Sequence, residues 1–170
     1  GVIIQLMPDQ HEITRVKNRI KLVADGGLSW DELCELASSH GAGGIECLSG
    51  IPGTVGAAPV QNIGAYGQDI SQSIEYILAF DRTESRLVRI ESGDCCFPYR
   101  QSLFKNEPKR WIIWKVGFDF DGNYKGQSQY QELTKELTRI GINPSSYTKS
   151  DLKRVRESIL CIRRRKSMVI

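Results

Sequence analysis

Apolar positions recur along the chain with two different periods, and the change of period marks the predicted elements. Residues 1–6 (GVIIQL) are almost continuously apolar and read as a buried strand. Residues 11–24 read as β structure broken by a turn near Lys17-Asn18. Ile74, Tyr76, Leu78 and Phe80 alternate with other residues, which predicts a strand with one buried face. Arg82-Thr83-Glu84-Ser85 then turns the chain into a second strand through Leu87, Val88 and Ile90. Residues 111–120 (WIIWKVGFDF) predict a further strand, with Ile112, Trp114, Val116, Phe118 and Phe120 on one face. Elsewhere the spacing is helical. Trp30, Leu33 and Ala37 share a face after Ser29-Trp30-Asp31-Glu32, which has the form of a capping box, and Gly41 closes that helix. Tyr130, Leu133, Leu137 and Ile140 form a second stripe, with Ser128 and Gln131 as another capping box and Gly141 and Pro144 as the stop. Leu152, Val155, Ile159 and Ile162 form the last stripe, ending in Arg163-Arg164-Arg165-Lys166.

Strands and helices that do not alternate as regular βαβ units predict an α+β fold, a mixed sheet with flanking helices. A length of 170 residues with 40% hydrophobic content suits a single compact domain. The net charge of +3 is too small to argue for nucleic acid, and no apolar run approaches the ~20 residues that cross a bilayer. Five scattered cysteines with no C-x-x-C read as reduced thiols, and with no signal-peptide pattern at the start the expected location is cytoplasmic.

Several chemistries fail for want of their residues. The P-loop lysine pattern is absent, as is G-x-G-x-x-G after a strand. His11 and His40 stand far apart with no H-E-x-x-H, so no metal site is expected, and no G-x-S-x-G elbow occurs. What remains is a glycine-dense stretch, residues 50–67 (GIPGTVGAAPVQNIGAYG), together with a Tyr-Arg pair in an aromatic setting and a basic helix end. Glycine lets backbone approach a ligand with no Cβ in the way. Stiffened by Pro52 and Pro59, the run from Gly50 to Ala58 is suited to present amides as a nest for a pyrophosphate. The plainer reading is a turn-rich connection between helix and strand. Asn62 serves either to hold the loop together or to face a ligand.

Two stretches resemble the signatures of the UDP-N-acetylenolpyruvoylglucosamine reductase family. One is Leu48-Ser49-Gly50-Ile51-Pro52-Gly53-Thr54-Val55-Gly56 with Gln61-Asn62-Ile63-Gly64-Ala65-Tyr66-Gly67. The other is Phe97-Pro98-Tyr99-Arg100-Gln101-Ser102-Leu103-Phe104-Lys105, similar to the family's Phe-x-Tyr-Arg-Asp-Ser-x-Phe-Lys. Gln101 replaces the usual aspartate, and Pro98 stands where glycine is frequent. The resemblance implies a FAD-binding domain of the vanillyl-alcohol-oxidase-like type, NADPH as co-substrate, and a UDP-sugar substrate for cell-wall synthesis. FAD would be held by Ser49, Gly50, Ile51, Pro52, Gly53, Thr54, Gly56, Ala57, Asn62, Ile63, Gly64, Ala65, Gly67 and Ile113.

By the same resemblance Arg100 is the catalytic cation and Tyr130 and Lys166 bind substrate. Each has a plainer reading. Arg100 can bridge strand and helix, Tyr130 can anchor a core, Lys166 can complement a helix dipole, and Ile113 can be simple strand core. The family's Gly-Ser-Asn loop, its Gly-Ser-Phe-Phe proton donor and its C-terminal glutamate find no match here. Residues 1–166 therefore correspond to the larger FAD-binding domain, with 167–170 starting a linker, and the chain alone is expected not to turn over. The alternative is a stand-alone, non-catalytic flavin- or nucleotide-binding module.

Overall fold

The computed structural model describes residues 11–168, so the strand expected over 1–6 lies outside the described residues. Strands β1 (His11–Val16) and β2 (Arg19–Asp25) form a hairpin whose turn places Lys17 in the left-handed region, φ 53°. Helix α1 (Trp30–Ser39) follows, ending at Gly41 with φ 74°. A two-residue ribbon of β3 (Gly64–Ala65) and β4 (Gln68–Asp69) precedes β5 (Ile74–Asp81) and β6 (Arg86–Glu91). A single turn, α2 (Leu103–Asn106), leads into the long β7 (Trp111–Asp121). Then come β8 (Lys125–Gly126), α3 (Gln131–Arg139), β9 (Tyr147–Thr148) and α4 (Leu152–Arg165).

The main sheet has the order β1-β2-β7-β5-β6, and every described pairing in it is antiparallel. Helices flank it, as the α+β expectation requires. One face buries Ile20, Leu22, Ala24, Val116, Phe118 and Phe120 against Trp30 and Leu33 of α1. A second cluster joins Leu133 and Leu137 of α3 to Leu152, Val155, Ile159 and Ile162 of α4 around Tyr147 and Cys47. Among the described residues no helix is long and apolar enough to cross a membrane, and Cys34, Cys47, Cys95, Cys96 and Cys161 are free thiols.

Four sequence expectations need correction. In β5 the buried residues are Ile74, Ile77, Ala79 and Asp81, not the alternating set that begins at Ile74. Ile74 pairs with Phe118 but Tyr76 pairs with Gly117, so Glu75 is an extra residue. A bulge of this kind places two residues opposite one and shifts the phase of the faces. Trp114 is likewise the extra residue where Lys115 and Ile113 pair with Leu78 and Ala79, and it stands 45% exposed. Ser29 precedes α1 but its hydroxyl makes no cap bond; the chain is held there by Trp30 N–H donating to Gly53 O at 3.1 Å. Tyr130, not Ser128, occupies the position before α3, and it is exposed rather than the first core residue of the stripe.

Candidate functional site

The glycine-dense loop is built against the sheet by backbone. Gly56 N–H donates to Gly26 O at 2.8 Å and Val55 N–H to Leu28 O at 2.8 Å, which lays the loop across the end of β2. A Cβ on Gly56 would lie 3.0 Å from Gly26 O and 3.2 Å from Ile113 O, so any side chain there would have to push rigid backbone aside by a few tenths of an ångström. Gly53, at φ 126°, takes a conformation that L side chains rarely adopt. Its N–H and that of Thr54 donate to no acceptor among the described residues. Deeper in, Gly50 N–H donates to Asp31 Oδ1 at 2.7 Å, and the same carboxylate meets Arg156 Nη2 of α4 at 2.7 Å. Ser49 is fully buried and donates to Glu46 O at 2.7 Å.

Residues 97–102 return to this loop and are stitched onto it. Asn62 Nδ2 donates to Pro98 O at 3.3 Å while its Oδ1 accepts from Ser71 N–H at 3.3 Å. Ser102 donates to Val60 O at 2.5 Å. Arg100 sits in the left-handed region at φ 57° and donates from Nη2 to Gly64 O at 2.6 Å. Gln101, the departure from the family's aspartate, makes no side-chain hydrogen bond among the described residues. Arg100 itself is held by the Gly64 carbonyl.

Two cavities of about 560 and 430 Å³ share a wall made by Gly64, Ala65, Tyr66, Arg100 and Tyr130. The first also takes in Asn62, Gly67, Phe97 and Tyr99; the second takes in Ile51, Ile63, Arg163 and Lys166. Nine of the expected residues therefore meet here: Ile51, Asn62, Ile63, Gly64, Ala65, Gly67, Arg100, Tyr130 and Lys166. Thr54, Gly56 and Ile113 line a separate cavity of about 250 Å³ with Phe104 and Trp111. Pro52, Gly53 and Ala57 are exposed along the loop. Ser49 and Gly50 are buried in its base and line none of these cavities.

Lys166 reaches the second cavity as the residue capping α4, and its ammonium pairs with Glu132 of α3. That hydrogen bond holds the Lys166 pKa above its ordinary value. The Tyr66 phenol is also pushed up, chiefly by burial and against the pull of Arg163. Tyr66 and Tyr130 meet edge to face at 5.7 Å, and the Arg163 guanidinium lies 5.9 Å from the Tyr66 ring centroid. Tyr66 and Arg163 were not expected from sequence. Tyr66 lay within the quoted motif, and Arg163 stands one helical turn before Lys166, so both signals were present in adjacent residues.

The model of the FAD binding domain family matches residues 1–89. The UDP-N-acetylenolpyruvoylglucosamine reductase of Thermobifida fusca is 36% identical over 172 residues, covering 100% of this chain and 47% of its own length. That of Xanthomonas euvesicatoria is 38% identical over 143 residues, covering 84% of this chain and 39% of its own. The chain spans about half the length, or less, of these curated relatives. A crystal structure of UDP-N-acetylenolpyruvylglucosamine reductase from Thermus caldophilus superposes with a TM-score of 0.54 at 18% identity, over 82% of this chain and 41% of that one. The superposition speaks for the fold alone, and it agrees with the expected FAD-binding architecture.

Proposed function

Because the chain belongs to the FAD binding domain family, we propose that it forms the FAD-binding part of an NADPH-dependent reductase acting on UDP-N-acetylglucosamine enolpyruvate. The observation that carries this reading is Arg100, locked onto the Gly64 carbonyl at 2.6 Å while lining both large cavities. Residue fit supports the cofactor: two adjacent backbone donors, on Gly53 and Thr54, have no acceptor among the described residues, and such a pair suits a pyrophosphate. The cavity sizes are those of cofactor sites.

Bound flavin would supply a hydride. Arg100 then offers a fixed cation to the substrate's carboxylate, where negative charge grows as the hydride arrives. Apart from the bond to Gly64, its guanidinium N–H groups have no acceptor among the described residues. Such a donor is worth on the order of 3 kcal/mol of barrier. Tyr130 and Lys166 hold the diphosphate end of the substrate, Lys166 exchanging Glu132 for phosphate. On this reading residues 1–166 are the larger FAD-binding domain of the reductase.

Titration of the chain with FAD tests the proposal, followed by flavin fluorescence and the visible absorption band. The expected result is a Kd on the order of micromolar, with FMN, which lacks the pyrophosphate and adenosine, bound at least tenfold more weakly. No FAD binding by the folded chain, or equal binding of FAD and FMN, would overturn it.

A further inference from the structure

Glu46 is the most deeply buried carboxylate in the described fold, with no exposed surface and no ion pair among the described residues. Four donors converge on it instead. Its Oε1 accepts from Tyr147 OH at 2.8 Å, Gln68 Nε2 at 2.8 Å and Tyr124 OH at 2.9 Å, and its Oε2 accepts from Gly44 N–H at 2.6 Å. Gln68 is held a second and third time: its Nε2 donates to Tyr124 OH at 3.0 Å, and its Oε1 accepts from Cys47 N–H at 2.9 Å.

Gln68 opens β4, the second half of the ribbon that turns through Tyr66 and Gly67. That ribbon has only two residue pairs, too few to be stable by themselves. Its turn also holds a bulky residue, Tyr66, at φ 51°, a left-handed conformation that L residues other than glycine, asparagine and aspartate rarely adopt. Something outside the ribbon must fix it. Yet Gly64 of the same ribbon orients Arg100, and Tyr66 walls both cavities.

We propose that Glu46 is a positioning residue for the flavin cavity: it clamps Gln68, and through Gln68 it holds the strained ribbon that presents Tyr66 and the Gly64 carbonyl. The clamp joins the two halves of the fold, since Glu46 precedes the glycine-dense loop, Tyr124 follows β7 and Tyr147 lies in the cluster under α3 and α4. This inference rests on the flavin reading given above.

The test compares Glu46→Gln and Gln68→Met with Leu22→Ala, which weakens the main core without removing any hydrogen bond of the clamp. Glu46→Gln puts an amide N–H where Gly44 or the phenols must donate; Gln68→Met keeps side-chain length but removes every bond to the clamp. Amide hydrogen exchange is read at residues 66–68 of the FAD-free chain, and FAD affinity is read separately. The expected result is exchange at least tenfold faster there in both variants, with FAD affinity down tenfold or more, while Leu22→Ala lowers the melting temperature but leaves both near the unaltered chain. Unchanged exchange in Gln68→Met overturns the proposal. So does faster exchange without loss of FAD affinity, or an equal affinity loss in Leu22→Ala. Failure of the unaltered chain to bind FAD overturns the flavin reading instead, and the exchange measurement still decides whether Glu46 holds the ribbon.

Discussion

Gly56→Ala is the substitution whose cost follows most directly from the coordinates. Gly56 lies outside the left-handed region, so its backbone conformation does not by itself forbid alanine. Space does. The new Cβ would lie 3.0 Å from Gly26 O, 3.2 Å from Gly26 Cα and 3.2 Å from Ile113 O, all backbone atoms with no rotamer to escape into. Favourable carbon contacts begin near ~3.5 Å, so either the loop must lift from the sheet or the 2.8 Å bond from Gly56 N–H to Gly26 O must stretch. Overpacking of one methyl in a rigid setting costs roughly 1–3 kcal/mol. At about 2–4 °C per kcal/mol for a chain of this size, the melting temperature should fall by roughly 2–12 °C. Gly93→Ala is the control, because a Cβ there meets nothing within 4 Å and its φ is not positive; it should be neutral or slightly stabilising. Thermal or urea unfolding followed by the fluorescence of buried Trp30 reads both. If Gly56→Ala melts with Gly93→Ala, the contact between loop and sheet is not what holds glycine at this position.

Three further outcomes are expected. Leu33→Ala, at a fully buried position of α1, should cost about 2–5 kcal/mol in chemical unfolding. Asp31→Ala removes the acceptor of Gly50 N–H and the partner of mostly buried Arg156; because Asp31 is partly exposed, the loss should be roughly 1–2 kcal/mol, with Asp31→Asn costing less because it keeps an acceptor. Asp81 is held below the usual carboxylate range first by its hydrogen bond from Arg110. A lowered folded-state pKa stabilises above the unfolded value of about 3.9 and is lost as pH falls through the folded value. The stability gap between the unaltered chain and Asp81→Asn should therefore be constant above about pH 5 and close as pH drops below about 4; a gap independent of pH down to about 2 would refute the Asp81–Arg110 assignment.

Much of the fold was legible because local chemistry fixes it. The β1–β2 hairpin, the turn at 82–85 and the stripes of α1, α3 and α4 follow from periodicity and turn residues, which depend on near neighbours. The motifs of residues 48–67 and 97–105 singled out the glycine-dense loop and Arg100 separately, and the fold joins them through the Gly64 carbonyl. The bulges at Glu75 and Trp114 were not legible, because a bulge is a property of a pair of strands and neither strand carries its partner's register. The two capping boxes failed for a similar reason: Gly53 O fixes the start of α1 from across the fold, and the exposed ring of Tyr130 answers to Tyr66 rather than to the helix stripe.

Local pattern thus accounts for the main strands and helices, and the likeness of two motifs singled out the glycine-dense loop and Arg100. Which groups face one another came from long-range packing. It placed Arg100 on Gly64 O, Asp31 between Gly50 and Arg156, and Glu46 among Tyr124, Tyr147 and Gln68. These contacts join residues 19 to 125 positions apart. Partners so distant in the chain are chosen by how helices and strands pack, and no local pattern encodes them.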